Sequence, residues 1–239
     1  MSARAIVWVK VAVHAACLLP FLYLLERYRN GSLALDADPV NSITHFTGDW
    51  ALWLLLVSLA VTPLRRLHPS LSNLIRFRRM LGLYAFFYAT LHLLVYIFIF
   101  SGYDIQSAWA SLKQGRLTAL WKLCLTVWPG VLDDLKKRRF IQVGLAAWVL
   151  LLSLAVTSPN FMLRRLGGKN WQRLHRLVYV AAILGCIHYW WLVKVGVRTP
   201  MKDTVALTIL LLARVVWVLL KQRRKPAVTP PSRTPVAAA

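Results

Sequence analysis

Residues 80–100, MLGLYAFFYATLHLLVYIFIF, run for a bilayer's thickness without one charged side chain, and 140–157, FIQVGLAAWVLLLSLAVT, do the same. A hydrocarbon core of about 30 Å takes about 20 apolar helical residues per crossing. In lipid every backbone N–H and C=O must be paired within the span, so a chain with such runs becomes a helical bundle. Four further stretches (5–25, 43–62, 177–193 and 204–220) approach the same length. The expectation is an all-α, polytopic membrane bundle of six transmembrane helices. Residues 5–25 are too long for a signal-peptide core of about 7–15 residues, and no small-x-small cleavage site follows, so the first span stays as a helix.

Composition excludes other classes. Hydrophobic residues make up 58 % of the 239, and the net charge is +22. Disorder needs high charge with low hydrophobicity, which this is not. Cys17, Cys124 and Cys186 form no CxxC pair. That removes a disulfide framework, a zinc ribbon and a Cys-ligated iron–sulfur cluster. The basic excess reads as membrane orientation, not nucleic-acid binding. With the N-terminus inside, seventeen Lys and Arg fall on the inner side and twelve on the outer, and all eight acidic residues are outside. Lys and Arg accumulate in cytoplasmic loops, so the reading is N-in/C-in. A seventh span at 117–132 would erase this asymmetry; that segment reads instead as an interfacial or re-entrant piece. The Pro/Ala-rich tail 226–239 reads as a disordered cytoplasmic end.

No Asp or Glu lies deep in a span, which counts against a proton-coupled pump. The spans carry histidine instead. A lone His on an apolar helix usually just hydrogen-bonds a neighbour, but here three recur at related depths. At about 1.5 Å rise per residue, His92 sits roughly 18 Å in from the cytoplasmic side. His188 sits roughly 20 Å beyond His175 on a helix running the same way. His92 and His188 can therefore oppose each other, and two neutral imidazoles across a bundle are the axial set of a b-type heme. At the depth of His175 the third span offers Arg78, which stays protonated and cannot ligate iron. Arg78 either pairs with a heme propionate or serves as an inside-positive anchor. Thirteen residues leave His175 and His188 about 140° apart on a straight helix, so both face one column only if Gly185 allows a bend. Arg214 either snorkels to the inner surface or contacts a propionate or flavin phosphate. His14, His45 and His68 rank lower.

The runs DPVNSITHFTG, LAVTPLRR, RFRRMLGLYAFFYATLHLLVY, KKRRFIQVG and GGKNWQRLHRLVYVAAILGCIHYWWLVK resemble the MsrQ (YedZ) family, over about residues 5–220. That family groups with the ferric-reductase and NADPH-oxidase transmembrane domains. The resemblance implies b heme on His92, His175 and His188, bound FMN, and residence in the bacterial inner membrane. It implies electron delivery to MsrP, a periplasmic molybdopterin subunit that reduces methionine sulfoxide in proteins. The implied donor is the quinone pool or a cytoplasmic flavin reductase. Residues 105–131 depart from the family as an inserted periplasmic or interfacial segment within a heme domain spanning 1–225.

One heme is expected at His92 and His188, and a second is open at His175. The basic rim of Arg78, Arg79, Arg173 and Arg176 suits propionates or an FMN phosphate, because Arg forks bind planar anions bidentately. His175 therefore either ligates a second heme or serves the electron-entry side. The chain reads as an electron-transfer subunit, not the catalytic one. The alternatives are a stand-alone ferric or quinone reductase subunit and a non-redox transporter or scaffold.

Overall fold

The structure, a computed structural model, describes residues 3–100, 110–193 and 198–223. The described residues form helices and no strands: α1 (Ala3–Arg29), α2 (Pro39–Leu67), α3 (Ile75–Val95), α4 (Leu117–Lys137), α5 (Arg139–Val156), α6 (Asn160–Leu166), α7 (Gly168–Leu174), α8 (Leu177–Leu192) and α9 (Thr199–Arg223). A π-helical turn, Tyr96–Phe100, extends α3. The tail expected to be disordered and residues 101–109 lie outside the described residues.

Five helical stretches among the described residues are long and apolar enough to cross a bilayer; α8 is not among them. It has sixteen residues and no charge, and at about 1.5 Å each it reaches only about 24 Å. The multi-pass class therefore stands, with five spans carried by length and composition.

α2 is the hub. Its N-terminus is built for helix initiation: the Asp38 carboxylate accepts from the Asn41 N–H at 3.0 Å, and Pro39 opens the helix. Leu52, Leu55 and Leu59 are buried on it, and half of its apolar window is enclosed by the bundle. Small residues let the neighbours close in: Ala85 on α3 and Ala181 and Ala182 on α8 are almost completely buried. Without a hydrophobic drive between helices in lipid, such close backbone approach supplies the packing. α1 and α9 lie outside this hub and turn Val7, Val11, Leu22, Ile209, Leu212 and Val216 outward, as lipid contact requires.

α1 docks through one inserted hydroxyl. In an unbroken helix the Phe21 N–H would bond the Cys17 carbonyl. Beside Pro20, which has no N–H, the fully buried Tyr88 hydroxyl takes that place. It donates to the Cys17 carbonyl at 2.7 Å and accepts from the Phe21 N–H at 3.1 Å.

α4 is amphipathic. Trp121, Leu125, Trp128 and Leu132 are exposed at a spacing that forms one stripe. Its end is held to α3 by the Tyr96 hydroxyl, which donates to Asp134 at 3.0 Å. Like α8, it is not among the five candidate spans.

The bend expected at Gly185 lies elsewhere. α7 stops at Leu174 and α8 starts at Leu177. Between them the Arg176 N–H bonds Arg173 and the Tyr179 N–H bonds Arg176, both i→i−3. This tight turn at His175–Arg176 breaks the phase between His175 and His188. Gly185 sits within continuous α8, where a side chain would merely touch Leu52.

Candidate functional site

His92 of α3 and His188 of α8 meet across the bundle. Their ring centroids are 6.0 Å apart with planes at 83°. Each ring is anchored by its Nδ1. His92 Nδ1 donates to the Thr44 carbonyl at 2.9 Å, and His188 Nδ1 donates to the Phe140 carbonyl at 2.7 Å. A carbonyl can only accept, so each Nδ1 carries the proton and each Nε2 keeps its lone pair. A metal-ligating imidazole is fixed in this way.

The two anchors share a device. Thr44 and Phe140 each precede a glycine by four residues, Gly48 on α2 and Gly144 on α5. The glycine stands one helical turn above the accepting carbonyl, where the imidazole must pass. A Cβ on Gly48 would lie 3.2 Å from His92 Nδ1, and one on Gly144 would lie 2.7 Å from His188 Nδ1. Neither glycine is singled out by the sequence reading. The visible signal is Gly four residues after the accepting residue in both THFTG and FIQVG.

The geometry passes a simple fit test for a bis-imidazole metal. Imidazole–metal bonds of about 2.0–2.1 Å and ring radii of roughly 1.1 Å put opposed centroids about 6.3 Å apart. The observed separation is 6.0 Å. Among the described residues no group of three or more His, Cys, Asp or Glu could hold a bare metal ion. A donor set of two imidazoles alone suits an iron whose other four ligands come from a macrocycle.

Toward the opposite end, His175 borders a cavity of about 560 Å³ with Arg65, Arg66, Arg78, Arg79 and Arg176 on its wall and, among the described residues, no acidic one. The His175 ring stacks on Trp171 with centroids 3.8 Å apart. Trp171 Nε1 donates to the Thr157 carbonyl at 2.8 Å, and His175 Nε2 lies 3.3 Å from the Thr157 hydroxyl. Burial and then the Arg78 guanidinium push the His175 pKa below the ordinary imidazole value, so the ring is neutral at pH 7. Arg79 donates to the Asn160 side chain at 2.7 Å. Thr62 Oγ1 and Arg65 Nε, on the same wall, are buried without a hydrogen-bond partner. Five guanidinium groups and two orphaned polar atoms fit an anionic group such as a carboxylate or phosphate. Among the described residues no second histidine lines this cavity.

Arg214 does not snorkel. It turns into the bundle and donates to the Tyr179 hydroxyl and the Leu59 carbonyl. The sequence reading also left unmarked that the His45 ring of α2 lies 6.2 Å between centroids from Tyr189 of α8, and that Asp203 of α9 is buried.

Residues 47–186 match the family model described as ferric reductase like transmembrane component. The chain is 42 % identical over 240 residues to the protein-methionine-sulfoxide reductase heme-binding subunit MsrQ of Xanthomonas axonopodis pv. citri, covering 98 % of both chains. It is 43 % identical over 237 residues to the same subunit of Xanthomonas campestris pv. campestris, covering 97 % of each. The MsrQ of Herminiimonas arsenicoxydans is 42 % identical over 229 residues, covering 92 % of this chain and 89 % of that one. On full-length identity and on the ferric-reductase match that spans both anchoring glycines and His92, His175 and Cys186 but stops just short of His188, this chain belongs to the MsrQ family.

Proposed function

We propose that the chain is the heme-binding electron-transfer subunit of a methionine sulfoxide reductase system in the bacterial inner membrane. It crosses the membrane six times with both termini in the cytoplasm, α8 serving as the short fifth span. The observation that carries this reading is the opposed His92–His188 pair with both Nδ1 atoms anchored. A b-type heme held there by His92 and His188 would supply one-electron redox chemistry. His92 and His188 hold it through Nε2. Thr44 and Phe140 fix the ring orientations, and the apolar bundle keeps water out. The partner on the outer side is a molybdopterin-containing reductase that repairs methionine sulfoxide in proteins.

The arginine cavity is the electron-entry side, facing the quinone pool or a cytoplasmic flavin reductase. Arg65, Arg78 and Arg176 hold an anionic group there, either an FMN phosphate or the propionates of a second heme. His175 contributes a neutral ring stacked on Trp171. One firmly held heme is favoured, because Arg78 stands where a second imidazole would be needed. The α4 stripe lies along the outer leaflet.

The test uses purified holoprotein. Reduced protein should reoxidise on addition of the soluble reductase subunit and an oxidised-methionine protein, and should stay reduced without them. Reoxidation that ignores the partner would remove this function. In His175→Ala, reduction from a flavin reductase or quinol should slow by about tenfold or more. Full heme content with slow reduction assigns His175 to electron entry. Loss of half the heme assigns it to a second heme. Unchanged heme with an unchanged rate makes it a structural rim residue.

A further inference from the structure

His14 is a polar side chain deep in an apolar span, and the function above leaves it unused. It stands roughly 16 Å along α1 from Ala3, within a candidate span, and is exposed on the outside of the bundle. Val11 and Leu18, three positions before it and four after, share its face and are exposed as well, so this face of α1 meets lipid. Ionisable side chains at such depth are rare and nearly always face the bundle interior or a water-filled cavity. One that faces hydrocarbon costs free energy unless its polar atoms find partners.

One partner comes from α3. His14 Nδ1 lies 2.8 Å from the Tyr84 hydroxyl, with the rings edge to face at 5.5 Å between centroids. Among the described residues, neither group makes a second hydrogen bond. A neutral imidazole and a phenol carry one polar proton each, and their shared bond uses one of the two. The pair therefore always keeps one donor free. If the Tyr84 hydroxyl donates to Nδ1, the free donor is His14 Nε2–H. If Nδ1–H donates to the hydroxyl oxygen, the Tyr84 O–H is free and His14 Nε2 offers a lone pair.

A ligand for this pair must arrive from the bilayer, carry no charge, and have oxygens that accept in one state and donate in another. A quinone head has that chemistry: its carbonyl accepts, and the hydroxyl of its quinol form donates. Phe87, exposed on the same side of α3, has its ring 6.5 Å from that of Tyr84 and offers an apolar surface to a planar head. A neutral quinone brings no anion, so the guanidinium groups of the inner cavity have little to hold it by. Tyr84, Tyr88 and His92 follow at four-residue steps on α3, which lines them up along one side of the helix. Tyr84 is thus roughly 12 Å in axial distance from His92.

We propose that His14 and Tyr84 form a lipid-facing binding site for the head of an isoprenoid quinone. The proposal rests on the electron-transfer reading above for its use. It gives the quinone a place of its own, apart from the anionic group held by the arginines. The near oxygen of the head bonds the free donor of the pair when oxidised and His14 Nε2 when reduced, Phe87 flanks the ring, and the isoprenoid tail stays in the bilayer.

Full-length holoprotein in phosphatidylethanolamine–phosphatidylglycerol nanodiscs can be illuminated with an azido-substituted decylubiquinone and mapped by mass spectrometry. The label should fall on α1 and α3 around His14 and Tyr84, and excess decylubiquinone should suppress it. Label confined to the segment around Trp171 and His175, or label that excess quinone leaves in place, overturns the proposal. In His14→Phe and Tyr84→Phe the suppressible label should fall by about tenfold or more, with heme content and the dithionite-reduced spectrum unchanged. The rate of heme reduction by decylubiquinol should fall in parallel. Unchanged labelling and rate in both variants would make the pair a staple between α1 and α3, and the proposal would fall. Labelling of wild type depends on no variant folding and on no heme being bound, so a failure of the heme assignment is read separately.

Discussion

His92→Ala and His188→Ala should each empty the proposed heme site between them. Among the described residues the two imidazoles are the donors that face each other there, and their Nδ1 atoms are committed to Thr44 and Phe140. Losing a hydrogen-bond partner behind a ligating histidine costs about 10–100-fold in metal affinity. Losing the ligand itself should cost more. Heme per polypeptide should fall to a small fraction of wild type, measured by the pyridine hemochrome after purification. Electron delivery to the reductase partner should disappear with it. Any heme that remains should lose its low-spin six-coordinate spectrum. Wild-type heme content and spectrum in either variant would refute the pairing.

Gly144→Ala should do nearly as much damage without touching a ligand. The new Cβ would lie 2.7 Å from His188 Nδ1, closer than van der Waals contact permits. The His188 ring must swing away and give up the Phe140 carbonyl. The expected loss of heme affinity is the 10–100-fold of a lost anchoring bond. Gly48→Ala should be milder, because its Cβ would stand 3.2 Å from the His92 ring and a shift of a few tenths of an ångström relieves it. The helix itself is not at risk, since Ala is favoured over Gly by about 0.8–1.0 kcal/mol in a helix interior. The two variants should therefore rank Gly144 above Gly48 in heme loss. Equal heme content in both would mean that the rings are not held as described.

Much of this molecule is legible from residue order. The uncharged runs of α3 and α5 dictate membrane helices, because lipid offers the backbone no partner. Counting residues at a fixed rise was enough to put His92 and His188 at one depth, and the structure has them 6.0 Å apart. Of the arginines that gather with His175, Arg78, Arg79 and Arg176 were also visible as a basic rim, whereas Arg65 and Arg66 were not and Arg173 is not among the described residues lining the cavity. Length along a helix is a local property, so a sequence carries it directly.

What only the packing decided is angular and lateral. The break that frees His175 from the phase of His188 falls at 175–176 and not at Gly185, because two i→i−3 bonds tighten the chain there. Arg214 turns inward because the Tyr179 hydroxyl and an α2 carbonyl await it. His45 and Tyr189 lie on two helices far apart in the chain. Each alone looked like an ordinary residue near a span end. Gly48 and Gly144 likewise acquire meaning only when a histidine from another helix passes over them. The sequence by itself determined which segments are apolar enough for a membrane and how far along its helix each histidine sits, since both follow from hydropathy and helical rise. Tertiary structure alone decided which side chains meet, since that depends on helix rotation and close approach between segments with no local signal.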